Sequence, residues 1–240
     1  MKADKESRTK NTKKTLILLS AFLVCVLLAA VLLIRAAFSG SVFFSSGASQ
    51  ENYKIAVIVK STTSSFFNSV FAGAGVAAAE YNVELTTEGA VREEDYEAQN
   101  ALIDQAVENG ADAIVISAVD FHGNEETVQR AADQGLPIVV IDSDVNSDDV
   151  ICRIGTDNFA AGRMAAETVL SGTEGLLSIG IVNFDENTAN GQERETGFRE
   201  VVGESIRVKE VKTINVLSTI EDARQGTREL IQENPDLNVI

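Results

Sequence analysis

From Lys54 onward the chain alternates between two hydrophobic periods. Residues 55–59, Ile-Ala-Val-Ile-Val, form a continuous, largely β-branched run, the mark of a strand buried on both faces. Residues 66–81 then place Phe67, Val70, Phe71, Ala74, Ala77 and Ala78 on one helical stripe. The same exchange of periods repeats to the end of the chain. Strands are predicted at 83–87, 113–116, 137–141 and 152–154, with helices at 95–109 and 125–134 stopped by Gly110 and Gly135. Past Asp157 come helices at 159–170, 192–202 and 221–233, strands at 177–182 and 206–214, and a last strand beginning at Val239.

Strands alternating with helices of 10–15 residues predict βαβ units and a parallel sheet covered on both faces, hence an α/β fold. In such sheets ligands sit beyond the carboxyl ends of the strands. Four of those ends carry Ser61 to Phe67, Ser117 to Asp120, Asp142 to Asp144, and Asn183 to Asp185. Hydroxyls, carboxylates, an amide and aromatics suit a polyol, whose hydroxyls bond the polar groups while an aromatic face covers its C–H side. A Gly-rich phosphate loop is missing, which disfavours nucleotides.

The segment before Lys54 has a different character. Residues 1–14 hold six basic and two acidic side chains, and the 20 residues 15–34 carry no charge. Such a run matches a hydrocarbon core of roughly 30 Å, and the basic flank places residues 1–14 in the cytoplasm, with a transmembrane anchor over 15–38. A cleaved signal peptide is the rival reading, with Ser46-Gly47-Ala48 as its small-residue site, although an apolar region of about 7–15 residues is usual there. Either way the globular part crosses a membrane. Ser and Gly repeats make 39–51 a flexible linker.

Charge and composition narrow the chemistry. The formal net charge is −16, and from residue 36 on 13 basic residues face 34 acidic ones. That acidic surplus repels phosphate backbones and argues against nucleic-acid partners. Only two cysteines occur, Cys25 in the apolar run and Cys152 in the globular part, so no disulfide framework or zinc spacing exists. Cys152 reads as a small buried apolar residue. The lone histidine, His122, reads as an exposed loop residue, and with no second His the common triads and metal sites fall away. Asp144 and the acidic pairs Glu93-Glu94 and Asp148-Asp149 read as solvated. Neither an enzyme's nucleophile–base pair nor a cofactor motif is found.

Several phrases carry a family resemblance. The run 55–59 followed by Phe66-Phe67 and Gly73-Ala74, and the segment Asp112 to Ile116, resemble the opening of ribose-type (type I) periplasmic binding proteins. Gly135 to Asp142 is similar to that family's "G-I-P-V-V-x-x-D" phrase, Ile154 to Gly162 to its "I-x-x-D-N-x-x-x-G" crossover, and Gln192 to Phe198 to its "x-x-R-x-x-G-F" segment. The resemblance runs from about Tyr53 to the end, and the DNA-binding helix-turn-helix of the family's repressor branch is missing.

The resemblance implies two Rossmann-like domains, 52–156 and 157–240, joined by a hinge at Asp157 and Asn158, with the ligand in the cleft. The second domain is expected to continue beyond residue 240. It implies ligand contacts from Phe66, Phe67, Asp142 and Arg194. Ser64 and Ser117 are counted with these ligand contacts and stand where ribose binders have Asn; Ser143 stands where they have Arg and Glu221 near an aromatic position, departures that count against ribose itself and keep a small polar ligand as the expectation. Plainer roles stand beside these: helix-start core for Phe66-Phe67, a surface ion pair for Arg194, and a helix cap for Asp157-Asn158. The function implied is capture of a monosaccharide or related polyol by cleft closure, with no cofactor. The partner is an ABC permease or, as the alternative, a sensor kinase or chemoreceptor.

Overall fold

Strand β1 (Lys54–Val59) shows why its apolar run is unbroken. Ala56 and Ile58 pack on one face into a cluster with Ile103, Ala106, Val128 and Ala131, whereas Val57 and Val59 pack on the other with Phe67. Both faces are covered, so no position in the strand is left for a polar residue. The helices concerned are α1 (Ser65–Tyr81), α2 (Tyr96–Glu108) and α3 (Glu125–Asp133). Strands β2 (Glu84–Gly89), β3 (Ala113–Ile116), β4 (Ile138–Ile141) and β5 (Val150–Ile154) complete a parallel sheet of order β2-β1-β3-β4-β5.

This computed structural model describes residues 52–240. The expected basic segment, anchor or signal peptide, and linker all lie outside the described residues. No described helix is long and apolar enough to cross a membrane.

After β5 the chain leaves the first sheet and enters α4 (Asn158–Gly172), followed by β6 (Leu177–Asn183), α5 (Ala189–Gly203), β7 (Val208–Asn215) and α6 (Ile220–Glu233). Strands β6 and β7 pair in parallel, and Val239 adds one parallel bridge to Ile179. Ala166, Leu177, Ile179 and Val202 form this second lobe's own core. Helices α4 and α5 touch backbone to backbone. A Cβ on Gly162 would lie 2.0 Å from the Arg194 carbonyl oxygen, and one on Gly197 would lie 2.1 Å from that of Phe159. The glycines of the two recognised phrases are thus the contact points of one helix crossing.

Every predicted element before Val239 is present, with ends shifted by a few residues, and the strand expected at Val239 is a single bridge. Helix α5 begins at Ala189, three residues before the apolar pattern starts, because the Thr188 hydroxyl accepts from Gly191 N at 3.2 Å and caps it. Ala77, placed inward by spacing, is exposed. Cys152 is also exposed and not buried as expected: β5 is an edge strand in which only Val150 is buried. Asp148 and Asp149 are exposed. Asp144 is not simply solvated, because Arg153 Nε donates to both its oxygens at 2.9 and 2.8 Å.

Candidate functional site

The carboxyl ends of β1, β4, β6 and β7 converge on a cavity of about 730 Å³ between the two sheets. Ser64, Phe66, Phe67 and Asp142 reach it from the first lobe, and Asn183, Phe184 and Arg194 from the second. Strand ends of one lobe therefore face strand ends of the other across the space, and both supply polar heads.

Phe67 is 3% exposed and belongs to the core against Val57 and Val59, while Phe66 is 55% exposed. The rings meet edge to face at 5.0 Å. Phe67 thus fixes the ring of Phe66, which offers its surface to the cavity. Ser64 holds the N-cap position of α1, yet its hydroxyl makes no capping bond, leaving it available to the cavity.

Asp142 follows β4 with φ 60°, in the left-handed region. Its N–H donates to the Ile154 carbonyl at 2.9 Å, and its Oδ2 accepts from Ser117 Oγ at 3.1 Å. Those bonds hold a conformation that is unfavourable for most side chains. Ser117, expected at the ligand, is fully buried and is not on the cavity wall. Beneath it lies Gln99, 0% exposed. Its Nε2 donates to the Ser117 carbonyl at 2.9 Å and its Oε1 accepts from Val119 N at 2.9 Å. This buried amide braces the loop that orients Asp142.

Arg194 lines the cavity from α5, and its Nε donates to Asn158 Oδ1 at 2.8 Å. Asn158 is buried beside the crossover, where Asp157 caps α4 by accepting from Ala160 N at 2.9 Å. Neither Asp157 nor Asn158 lines the main cavity, whereas both border a smaller one of about 370 Å³ at the crossover. Glu221 is absent from the cavity wall; it pairs with Arg224 at 2.6 Å, and its neighbour Ile220 lines the cavity. Ser143 is buried with no partner for its hydroxyl. Across the lobes, Phe121 N donates to the Asn187 carbonyl at 2.9 Å.

Two charged residues of the site were not anticipated. Lys60, the first residue after β1, is 2% exposed and lies 5.2 Å over the Phe184 ring. Burial lowers its pKa to about 8, against the opposing pull of Asp142, Glu93 and Asp185. Glu93, in the turn after β2, is half-buried on the cavity wall and not solvated as its pairing with Glu94 suggested. Burial pushes its carboxyl up, while the charge of Lys60 and the nearby Ser218 oppose the shift. Both had a signal. Lys60 is the first polar residue at a strand's carboxyl end, and Glu93 and Ser218 follow the ends of β2 and β7.

The cavity therefore carries ammonium, guanidinium, carboxylate, amide and hydroxyl groups around one exposed aromatic ring. It can satisfy a ligand rich in both donors and acceptors. Among the described residues no group of three metal-ligating side chains is placed to hold an ion.

Two parallel α/β lobes with a polar cleft at their facing strand ends define a class: the two-lobed binding protein that takes a small ligand between its lobes. The chain belongs to the periplasmic binding protein domain family, whose model matches residues 55–240. It is 26% identical to the D-ribose/D-allose-binding protein of Pseudomonas aeruginosa, with 79% of this chain and 62% of that protein aligned. It is 29% identical to a D-apiose import binding protein of Actinobacillus succinogenes, over 78% of this chain and 60% of that one. A solved structure of a carbohydrate transporter solute binding protein from Agrobacterium radiobacter, in complex with D-arabinose, superposes with TM-score 0.72 at 29% identity, covering 79% of this chain and 66% of that one. The chain thus spans under two thirds of the length of these relatives.

Proposed function

We propose that this chain is an extracytoplasmic solute-binding protein that captures a monosaccharide or related small polyol between its lobes for ABC-type uptake, by binding and not by catalysis. The observation that carries this reading is the composition of the cleft: Asp142 and Glu93 as acceptors, Lys60 and Arg194 as donors, and Phe66 as an open aromatic face, all on one cavity. A polyol hydroxyl both donates and accepts, so it can bond either kind of head, and a sugar lacking one hydroxyl leaves a buried group unsatisfied. The relatives named for D-ribose, D-allose and D-apiose, and the structural neighbour holding D-arabinose, support the substrate class. The alternative of a membrane-held sugar sensor rests on the uncharged run 15–34, outside the described residues.

A thermal-shift panel tests the reading. D-ribose, D-allose, D-apiose, D-arabinose and D-fucose are compared with amino acids and nucleosides. At least one neutral sugar is expected to raise the melting temperature. A shift with amino acids or nucleosides alone overturns the substrate class.

A further inference from the structure

The cavity is not closed on all sides. Away from the crossover, where β2 and β7 stand at the edges of their sheets, it continues into a second space of about 770 Å³. Ser64, Glu93, Leu217, Ser218 and Thr219 border both spaces, so a molecule can run from one into the other without leaving the protein surface. Sites for small ligands hold about 300–1,000 Å³. The first cavity meets that alone, so a second of similar size is surplus to a single sugar ring.

The second space has walls of its own. One is the loop 61–65 between β1 and α1, which is braced from beneath. The buried Ser61 bonds Thr63 hydroxyl to hydroxyl at 2.9 Å, and its Oγ accepts from Thr63 N at 3.1 Å. Thr62 N donates to the Ala90 carbonyl at 3.2 Å and ties this loop to the one after β2. Thr63 and Ser65 are exposed on the second space, and neither lines the first. Val91, 75% exposed, and Leu217, 39% exposed, add apolar surface from the loops after β2 and β7. Among the described residues the one cation on these walls, Arg92, pairs with Glu94 at 2.7 Å, while Glu93 adds a further carboxylate. A negatively charged group is therefore disfavoured there. Hydroxyls that donate and accept, beside apolar side chains that cover C–H groups, suit a neutral polyol unit.

We propose that this space is a second sugar subsite, which takes the second unit of a neutral disaccharide or glycoside whose first ring lies in the main cavity. This rests on the sugar-binding reading above and extends its ligand by one hydroxyl-bearing unit.

Isothermal titration of the purified chain tests it with paired probes. D-galactose is titrated beside melibiose and lactose, D-glucose beside maltose and cellobiose, D-xylose beside xylobiose, and D-ribose beside its glycerol β-glycoside. In at least one pair the two-unit probe is expected to bind about tenfold more tightly than the bare sugar, the gain from one or two added neutral hydrogen bonds. The double variant Thr63→Val, Ser65→Ala removes two hydroxyls without adding bulk. It is expected to cancel that gain and to leave monosaccharide affinity unchanged, since neither residue lines the main cavity. Thr63→Ser with Ser65→Thr keeps both hydroxyls and is expected to keep the gain. Circular-dichroism melts confirm that each variant folds, and the wild-type comparison stands if one does not. Two-unit probes that bind no more tightly than the bare sugar in every pair overturn the subsite. So does a Thr63→Val, Ser65→Ala variant that leaves the ratio of the two affinities unchanged. If neither member of any pair binds and no sugar of the thermal-shift panel raises the melting temperature, the sugar reading itself falls, and this inference with it.

Discussion

Asp142 is an acceptor on the cavity wall and also a residue at φ 60°. Asn and Asp tolerate that region better than other side chains, and Gly occupies it freely. Replacement by Ala therefore changes two things at once. Asp142→Asn is expected to keep stability within about 0.5 kcal/mol, whereas Asp142→Ala is expected to lose roughly 1–2 kcal/mol from the backbone alone. Asp142→Gly should recover part of that loss. All three should weaken sugar binding by about tenfold or more, since each removes the charged acceptor. Urea melts beside titrations separate the two effects. Equal stabilities for the Ala and Gly variants would show that the left-handed backbone carries no cost. The carboxylate's place was legible, because it closes an apolar strand. Its backbone geometry was not, since nothing in Val-Val-Ile-Asp-Ser announces φ > 0. Lys60 closes its strand in the same way as Asp142, and the run of hydroxyls that follows masks it.

At the scale of elements, periodicity carried the reading well. β1 and β3 pack apolar residues on both faces and, like β4, read as continuous apolar runs; α2 and α3 are one-faced and read as stripes. Legibility failed at β5, an edge strand that buries only Val150, so the exposure of Cys152 had no pattern to betray it. It failed again inside α2, where Gln99 is as buried as any isoleucine because two backbone groups satisfy its amide. The α4–α5 crossing yields a test. Gly162→Ala would drive a Cβ into the Arg194 carbonyl, and no flexible side chain stands there to yield. It is expected to cost roughly 1–3 kcal/mol and to weaken binding by shifting Arg194. Gly73, on α1, meets nothing within 4 Å. Gly73→Ala is expected to stabilise by up to about 1 kcal/mol through helix propensity. Thermal melts of the pair decide: if both changes act in the same direction, close packing is not what requires Gly162.

Over the whole molecule, one topological rule placed the site: ligands gather at the carboxyl ends of parallel strands. It located Ser64, Phe66, Asp142 and Asn183 around one cavity, to which the family resemblance added Arg194. Distance along the chain concealed the rest. Glu93 and Ser218 are brought together only by the approach of the two lobes, and no local pattern marks that meeting. Ser117 shows the complementary limit. Position at a strand end brought it under Asp142, but depth within the layer is decided by packing, and it ended behind the wall. The buried Gln99 has a consequence of its own. Its Oε1 accepts from the Val119 amide, so an amide in a loop after β3 is paired and fully enclosed. Loop amides usually exchange with solvent deuterium quickly, whereas this one is expected to exchange only when the whole fold opens. Saturating ligand at a hundred times its Kd adds about 2.7 kcal/mol to that opening, so deuterium uptake at Val119 should slow about a hundredfold when the cleft fills. Uptake unchanged by bound sugar would mean that the floor of the cleft opens on its own, independently of the lobes above it.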